Sequence, residues 1–119
     1  MKHPLRLYSI PNCDSVRRAR AWLAEHGIEV AFHDFKKQGV PADRLDGWLA
    51  SAGREALLNR KGTTWRQLAD AEQATAASET GARALMLAQP SVIKRPVVEW
   101  PSGEVSVGFS PEVFEQRSR

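Results

Sequence analysis

Cys13 is the one cysteine among 119 residues, and its neighbours are of the types that make a thiol reactive. A thiol attacks, and is oxidised, only as thiolate, so whatever favours negative charge at the sulfur favours chemistry. Pro11 stops a preceding strand, and Asn12, Asp14 and Ser15 favour the cap positions of a helix. Cys13 therefore sits where a helix begins, and there unpaired backbone N–H groups and the helix dipole attract an anion. Arg17 and Arg18, one turn on, add positive potential, while Asp14 opposes them unless it turns away to cap the helix. The net expectation is a lowered thiol pKa. The alternative is a small, inert, buried cysteine.

The flanking elements must hold that junction in place. Leu5 to Ile10 reads as a short buried strand, and Val16, Ala19 and Leu23 recur at helical spacing. Gly27 ends this helix, and Glu29 to Phe35 reads as a second strand, so strand, helix and strand with short links predict a parallel right-handed crossover. Lys36 to Val40 follows as a polar loop. Pro41 opens a helix at its first position, with Leu45, Trp48, Leu49 and Ala52 on one face and Gly53 at its end. A less regular part begins at Leu57-Leu58, where Thr64 is expected to cap a short helix holding Trp65 and Leu68. The alanine-rich run from Asp70 to Ala77 reads as a solvated helix, and Ser78 as the cap of another that Pro90 terminates. Val97 to Trp100 and Val105 to Val107 flank the turn residues Pro101-Ser102-Gly103-Glu104 as a hairpin, and Ser110-Pro111-Glu112 opens a last helix.

A chain of this length with 42% hydrophobic residues can bury one core, so one domain over 1–119 is expected. A lone cysteine excludes an internal disulfide, so redox chemistry at Cys13 needs an outside thiol. No apolar run approaches a membrane span, which predicts a soluble, cytoplasmic protein without membrane contact. Net charge is +3, but the charges alternate in sign and form no basic stripe with interleaved aromatics, which argues against a nucleic-acid partner. Mild positive charge suits small anions such as glutathione, phosphate and oxyanions. His3, His26 and His33 have no metal-ligand spacing, so no metal is expected.

Three strings go further: Tyr8 with Pro11-Asn12-Cys13-Asp14-Ser15-Val16-Arg17-Arg18-Ala19, then Leu57-Leu58-Asn59-Arg60-Lys61-Gly62-Thr63-Thr64-Trp65, then Ile93-Lys94-Arg95-Pro96-Val97-Val98. Together, and in this order, they resemble the arsenate reductase-like (ArsC) family of the thioredoxin superfamily, which includes the Spx regulators, and most closely its YffB-like subgroup. The resemblance spans nearly the whole chain. It implies an α/β fold with a thioredoxin-like four-stranded mixed sheet (β-α-β, a helical insertion at about 41–89, then β-β-α). It also implies glutathione as co-substrate, with no tightly bound cofactor. Cys13 falls on the family's nucleophile, Arg95 on an arginine that holds the oxyanion in the arsenate reductases, and Pro96 on a proline that is usually cis. Arg60 matches an arginine that faces the site, and Asn12 completes the set expected around substrate and glutathione.

Departures from the family pattern narrow the reading. Val107-Gly108-Phe109 occupies the region of a further arginine of the arsenate reductases, and Ser9 stands where many of them carry a histidine. Val16 stands in place of the second cysteine of the Spx redox switch. The reading is a glutathione-dependent thiol oxidoreductase acting on a small anionic or thiol/disulfide substrate through a mixed disulfide at Cys13. Two alternatives remain: a non-catalytic Spx-like regulator that docks on RNA polymerase, and an arsenate reductase with a reduced arginine set.

Overall fold

A computed structural model of the chain describes residues 4–11 and 13–119. These divide into two compact units, one built from the segments up to residue 38 and from 95 onward, the other from residues 39–94. The helical insertion expected at about 41–89 falls within the second unit.

In the first unit, β1 (Leu5–Ser9) and β2 (Val30–Asp34) run parallel and are joined by α1 (Asp14–Glu25). Parallel neighbours need such a crossover, because a tight turn can only join antiparallel strands. β3 (Val97–Glu99) pairs antiparallel with β1, and β4 (Val105–Val107) pairs antiparallel with β3. The result is a four-stranded mixed sheet in the order β2-β1-β3-β4. Side chains alternate between its faces. Leu5, Leu7, Val98 and Trp100 face a core completed by Val16, Ala19 and Leu23 of α1 and by Phe114 of the last helix, α8 (Pro111–Arg117). Phe114 meets Trp100, Trp22 and Phe109 edge-on with ring centroids 5.0, 5.6 and 4.9 Å away, the arrangement that the ring quadrupole favours. Ser110 caps α8 as its position predicts, its Oγ accepting the Val113 N–H.

The β3–β4 hairpin carries a buried polar pair. The Trp100 indole N–H donates to Ser106 Oγ at 2.9 Å, with both residues buried. Ser106→Ala leaves that N–H with neither protein nor water partner, an expected loss of about 1–3 kcal/mol that urea unfolding would read as a lower midpoint at unchanged slope.

Two expectations fail in the first unit. β2 stops at Asp34, and Phe35–Gln38 forms a short helix, α2, where a loop from Lys36 was expected. The Asp34 carboxylate accepts the Lys36 N–H at 2.8 Å and Gln38 Oε1 accepts the Asp34 N–H at 3.2 Å, so side chains satisfy the backbone groups that the strand no longer pairs.

The second unit is helical. α3 (Ala42–Ala52) buries Leu45 and Trp48 and ends at Gly53, and Pro41 is its cap rather than its first residue. A short α4 (Arg54–Leu57) follows at once, which the sequence did not suggest. α5 (Thr63–Gln67) starts before Thr64 with Gly62 as its cap, and α6 (Asp70–Thr75) is shorter than the alanine-rich run. α7 (Glu79–Ala88) is capped by Ser78 and leads into a 3-10 turn at Pro90–Val92. Asn59 N–H donates to the Val92 carbonyl (2.8 Å) and Lys94 N–H to the Leu57 carbonyl (2.7 Å), tying the two ends of this helical run together. Among the described residues no helix is long and apolar enough to cross a membrane.

Gly81 marks the tightest approach in this unit. A Cβ there would lie 1.8 Å from the Thr75 carbonyl oxygen, at the turn between α6 and α7. In an open helix Gly→Ala stabilises by about 1 kcal/mol, but here backbone must move, and overpacking costs about 1–3 kcal/mol. Gly81→Ala is therefore expected to lower the melting temperature, not raise it.

Candidate functional site

Strand pairing brings two distant parts of the sequence together. Tyr8 of β1 lies opposite Val97 of β3 in an antiparallel pair, so the chain leaving β1 and the chain entering β3 share one end of the sheet. Cys13 follows the first and Arg95 precedes the second. The Arg95–Pro96 bond is cis, Pro96 is buried, and its carbonyl accepts the Gly108 N–H at 2.8 Å. Gly108 holds φ +84°, which a residue with a Cβ rarely adopts, so the end of β4 is fitted closely against the segment that carries Arg95.

At the other segment, Cys13 itself is the N-cap of α1, with φ −110° and ψ 128°. Of the two roles left open for Asp14, the structure shows that it does not cap the helix. It is the first helical residue, and its carboxylate is paired with the Arg17 guanidinium, with both side chains exposed. That pair offsets the charge of Asp14 beside the sulfur, and it also engages one of the two arginines expected to act on Cys13.

Cys13 is half-buried. Burial pushes the Cys13 thiol pKa up, but the Val16 N–H, a hydrogen bond from the Arg95 side chain, the Ser15 N–H and the charge of Arg95 outweigh it, so the pKa lies below the ordinary thiol value. Each of these donors favours the ionised form. No hydrogen bond from a backbone N–H closes a side-chain cap on Cys13. As thiolate it takes the place of a capping oxygen, because Ser15 and Val16 are the second and third helical residues, whose N–H groups an N-cap side chain ordinarily accepts.

Of the residues expected at the site, Cys13 and Arg95 are brought near enough for the Arg95 side chain to lower the thiol pKa, with Pro96 next in the chain. Arg60 belongs to the second unit, where it is paired with Glu55 at 2.9 Å and lies over the Trp65 ring at 5.4 Å. Asn12 lies outside the described residues. Among the described residues no group of three or more His, Cys, Asp or Glu side chains could hold a metal ion. One contributor was expected from the sequence and one was not. The N–H groups of Ser15 and Val16 are those expected at the helix start, whereas Gly108 had entered only as part of Val107-Gly108-Phe109, in the region of a further family arginine.

Known proteins share this fold. Over 96% of its length the chain is 46% identical to an arsenate reductase (ArsC) related protein from Brucella melitensis, covering 93% of that structure with a TM-score of 0.74. It is 43% identical to a solved YFFB protein, over 97% of this chain and 99% of that one, with a TM-score of 0.91. It is also 27% identical to the global transcriptional regulator Spx of Streptococcus pyogenes serotype M6, over 89% of this chain and 78% of the regulator. The profile of the ArsC family matches residues 8–117, nearly the full length, and the chain belongs to that family.

Proposed function

We propose that this protein is a glutathione-dependent thiol oxidoreductase with Cys13 as its nucleophile, working in the reducing thiol pool of the cytoplasm. The observation that carries the reading is that Cys13 is the N-cap of α1, where the Ser15 and Val16 N–H groups and the Arg95 side chain favour its thiolate. The Cys13 thiolate attacks one sulfur of a glutathione mixed disulfide. A new S–S bond joins Cys13 to glutathione, and the other sulfur leaves as thiolate and takes a proton from solvent. A second glutathione thiolate then attacks the glutathionyl sulfur, releasing Cys13 and oxidised glutathione. No tightly bound cofactor takes part. In this reading Arg95 steers an anionic group of the substrate, with Pro96 next to it in the chain. The guanidinium suits the steering role because its planar fork meets a carboxylate on two N–H groups.

Intact mass after incubation with oxidised glutathione at neutral pH tests this directly. One glutathione adduct on the wild-type chain and none on Cys13→Ser is expected, and an unmodified wild-type chain would overturn it. Coupled assays with a glutathionylated peptide and with arsenate, each beside Cys13→Ser, then separate disulfide reduction from arsenate reduction with fewer arginines.

The identity with Spx favours a second reading, a non-catalytic regulator that docks on RNA polymerase. Val16, standing in place of a second cysteine, counts against redox control of such docking. Polymerase retained equally by wild-type and Cys13→Ser protein, together with no adduct, would favour it.

A further inference from the structure

The end of the sheet remote from Cys13 holds a cavity that the thiol chemistry does not use. Leu5 starts β1 and Trp100 follows β3, and the antiparallel pairing of these strands puts both residues at the opposite end from Cys13 and Arg95. There the α1–β2 link, the β3–β4 turn and the end of α8 surround a space of about 420 Å³, wholly within the first unit. Pockets that take small molecules span roughly 300–1,000 Å³.

The floor and the rim of this cavity differ in chemistry. Leu5, Ile28, Trp100 and Pro101 supply apolar walls. The indole N–H of Trp100 is already donated to Ser106 Oγ at 2.9 Å, so its ring offers the cavity carbon and no free donor. A polar group laid against that ring would lose water and gain no partner there. The charged side chains lining the space among the described residues are Arg117 and Arg119, with the hydroxyl of Ser102 on the same rim, and no carboxylate side chain joins them.

Each arginine has a carboxylate partner outside the lining. Arg117 pairs with Glu104 through Nη1, and Arg119 pairs with Glu115 through Nη2 at 3.5 Å. The Glu104 pair occupies one part of the Arg117 guanidinium, and Nε with Nη2 forms another edge of the same fork. A carboxylate meets such an edge on two N–H groups at once. Arg119, with its side chain 75% exposed, adds a second positive charge beside it.

We propose that this cavity binds a small amphipathic monoanion, a short-chain or aromatic carboxylic acid whose apolar end lies on Leu5, Ile28 and Trp100 and whose carboxylate meets Arg117. The two halves of the site discriminate together. A wholly polar anion gains nothing from the apolar floor, and a neutral molecule of the same shape leaves the arginine edge unmatched. The site is separate from the sulfur and stands whether or not Cys13 turns over glutathione.

Titration with phenylbutyrate at neutral pH, followed by amide and indole chemical shifts, tests the proposal, with phenylbutanamide as the neutral isostere and acetate as the anion without an apolar body. Saturable shifts centred on Leu5, Ile28, Ser102 and the Trp100 indole N–H are expected, with the same affinity in Cys13→Ser. The amide is expected to bind about tenfold more weakly, the discrimination that one charged hydrogen-bonding partner commonly gives. Acetate should produce no saturable shift. Arg117→Met should remove most of the preference for acid over amide, whereas Glu104→Gln, which keeps the arginine and frees it from its partner, should hold the acid at least as tightly as wild type. Absence of saturable shifts with phenylbutyrate overturns the proposal, as do shifts centred on Cys13 or equal affinity for acid and amide in wild type. The acid–amide comparison needs no variant, so it decides the matter even if Arg117→Met fails to fold.

Discussion

Cys13→Ser is expected to abolish glutathione adduct formation and to reduce any glutathione-coupled turnover by a factor on the order of a thousand or more, as loss of a covalent nucleophile does. Serine keeps the size of the side chain and its ability to cap α1, so the fold should survive. Serine is among the preferred N-cap residues, whereas Cys13 closes no side-chain cap. The variant is then inactive but folded, which separates chemistry from stability. Circular dichroism and the unfolding midpoint check the second half of that statement, and intact mass checks the first.

The next largest effect is expected at Arg95. Its side chain acts on the Cys13 sulfur both by hydrogen bond and by charge, and both lower the thiol pKa. Arg95→Met removes both, leaving burial opposed only by the N–H groups of Val16 and Ser15, so the pKa rises and the rate–pH profile of alkylation moves to higher pH. Arg95→Lys keeps the charge but loses the planar fork and should fall between the two. At neutral pH the glutathione exchange rate of Arg95→Met is expected to drop about ten- to a hundredfold, the usual value of a charge-assisted donor. An unchanged profile would mean that Arg95 does not act on the sulfur in solution.

The same pair makes stability depend on pH. The folded thiol pKa is lowered, so ionisation favours the fold once pH exceeds the folded value. The contribution is complete above the unfolded pKa and is lost as pH falls through the folded one. The difference in unfolding free energy between wild type and Cys13→Ser should therefore shift in favour of wild type as pH rises through the thiol range.

Much of this arrangement was legible in the sequence because the elements around Cys13 carry strong local signals. β1 ends ahead of Pro11, α1 repeats Val16, Ala19 and Leu23 at helical spacing, and Ser110-Pro111 marks α8 by its cap. Arg95 was a different case. More than eighty residues separate it from Cys13, and nothing local announces that β3 returns beside β1, so only the family resemblance pointed to it. The short helices α2 and α4 were missed because a single turn has too few residues to show a period. The role of Asp14 stayed open in the sequence because capping propensity ranks residue types at one position and says nothing about a competing partner. With Arg17 one turn away, its carboxylate pairs along the helix face instead.

The most direct measurement is the ionisation of Cys13 itself, followed by thiolate absorbance across pH in the folded chain and in the same chain unfolded in urea, with Cys13→Ser as the blank. A folded midpoint below the unfolded one, moved upward by Arg95→Met, is the predicted result. A folded midpoint at or above the unfolded one would contradict it, because burial would then have prevailed over the helix start and the guanidinium.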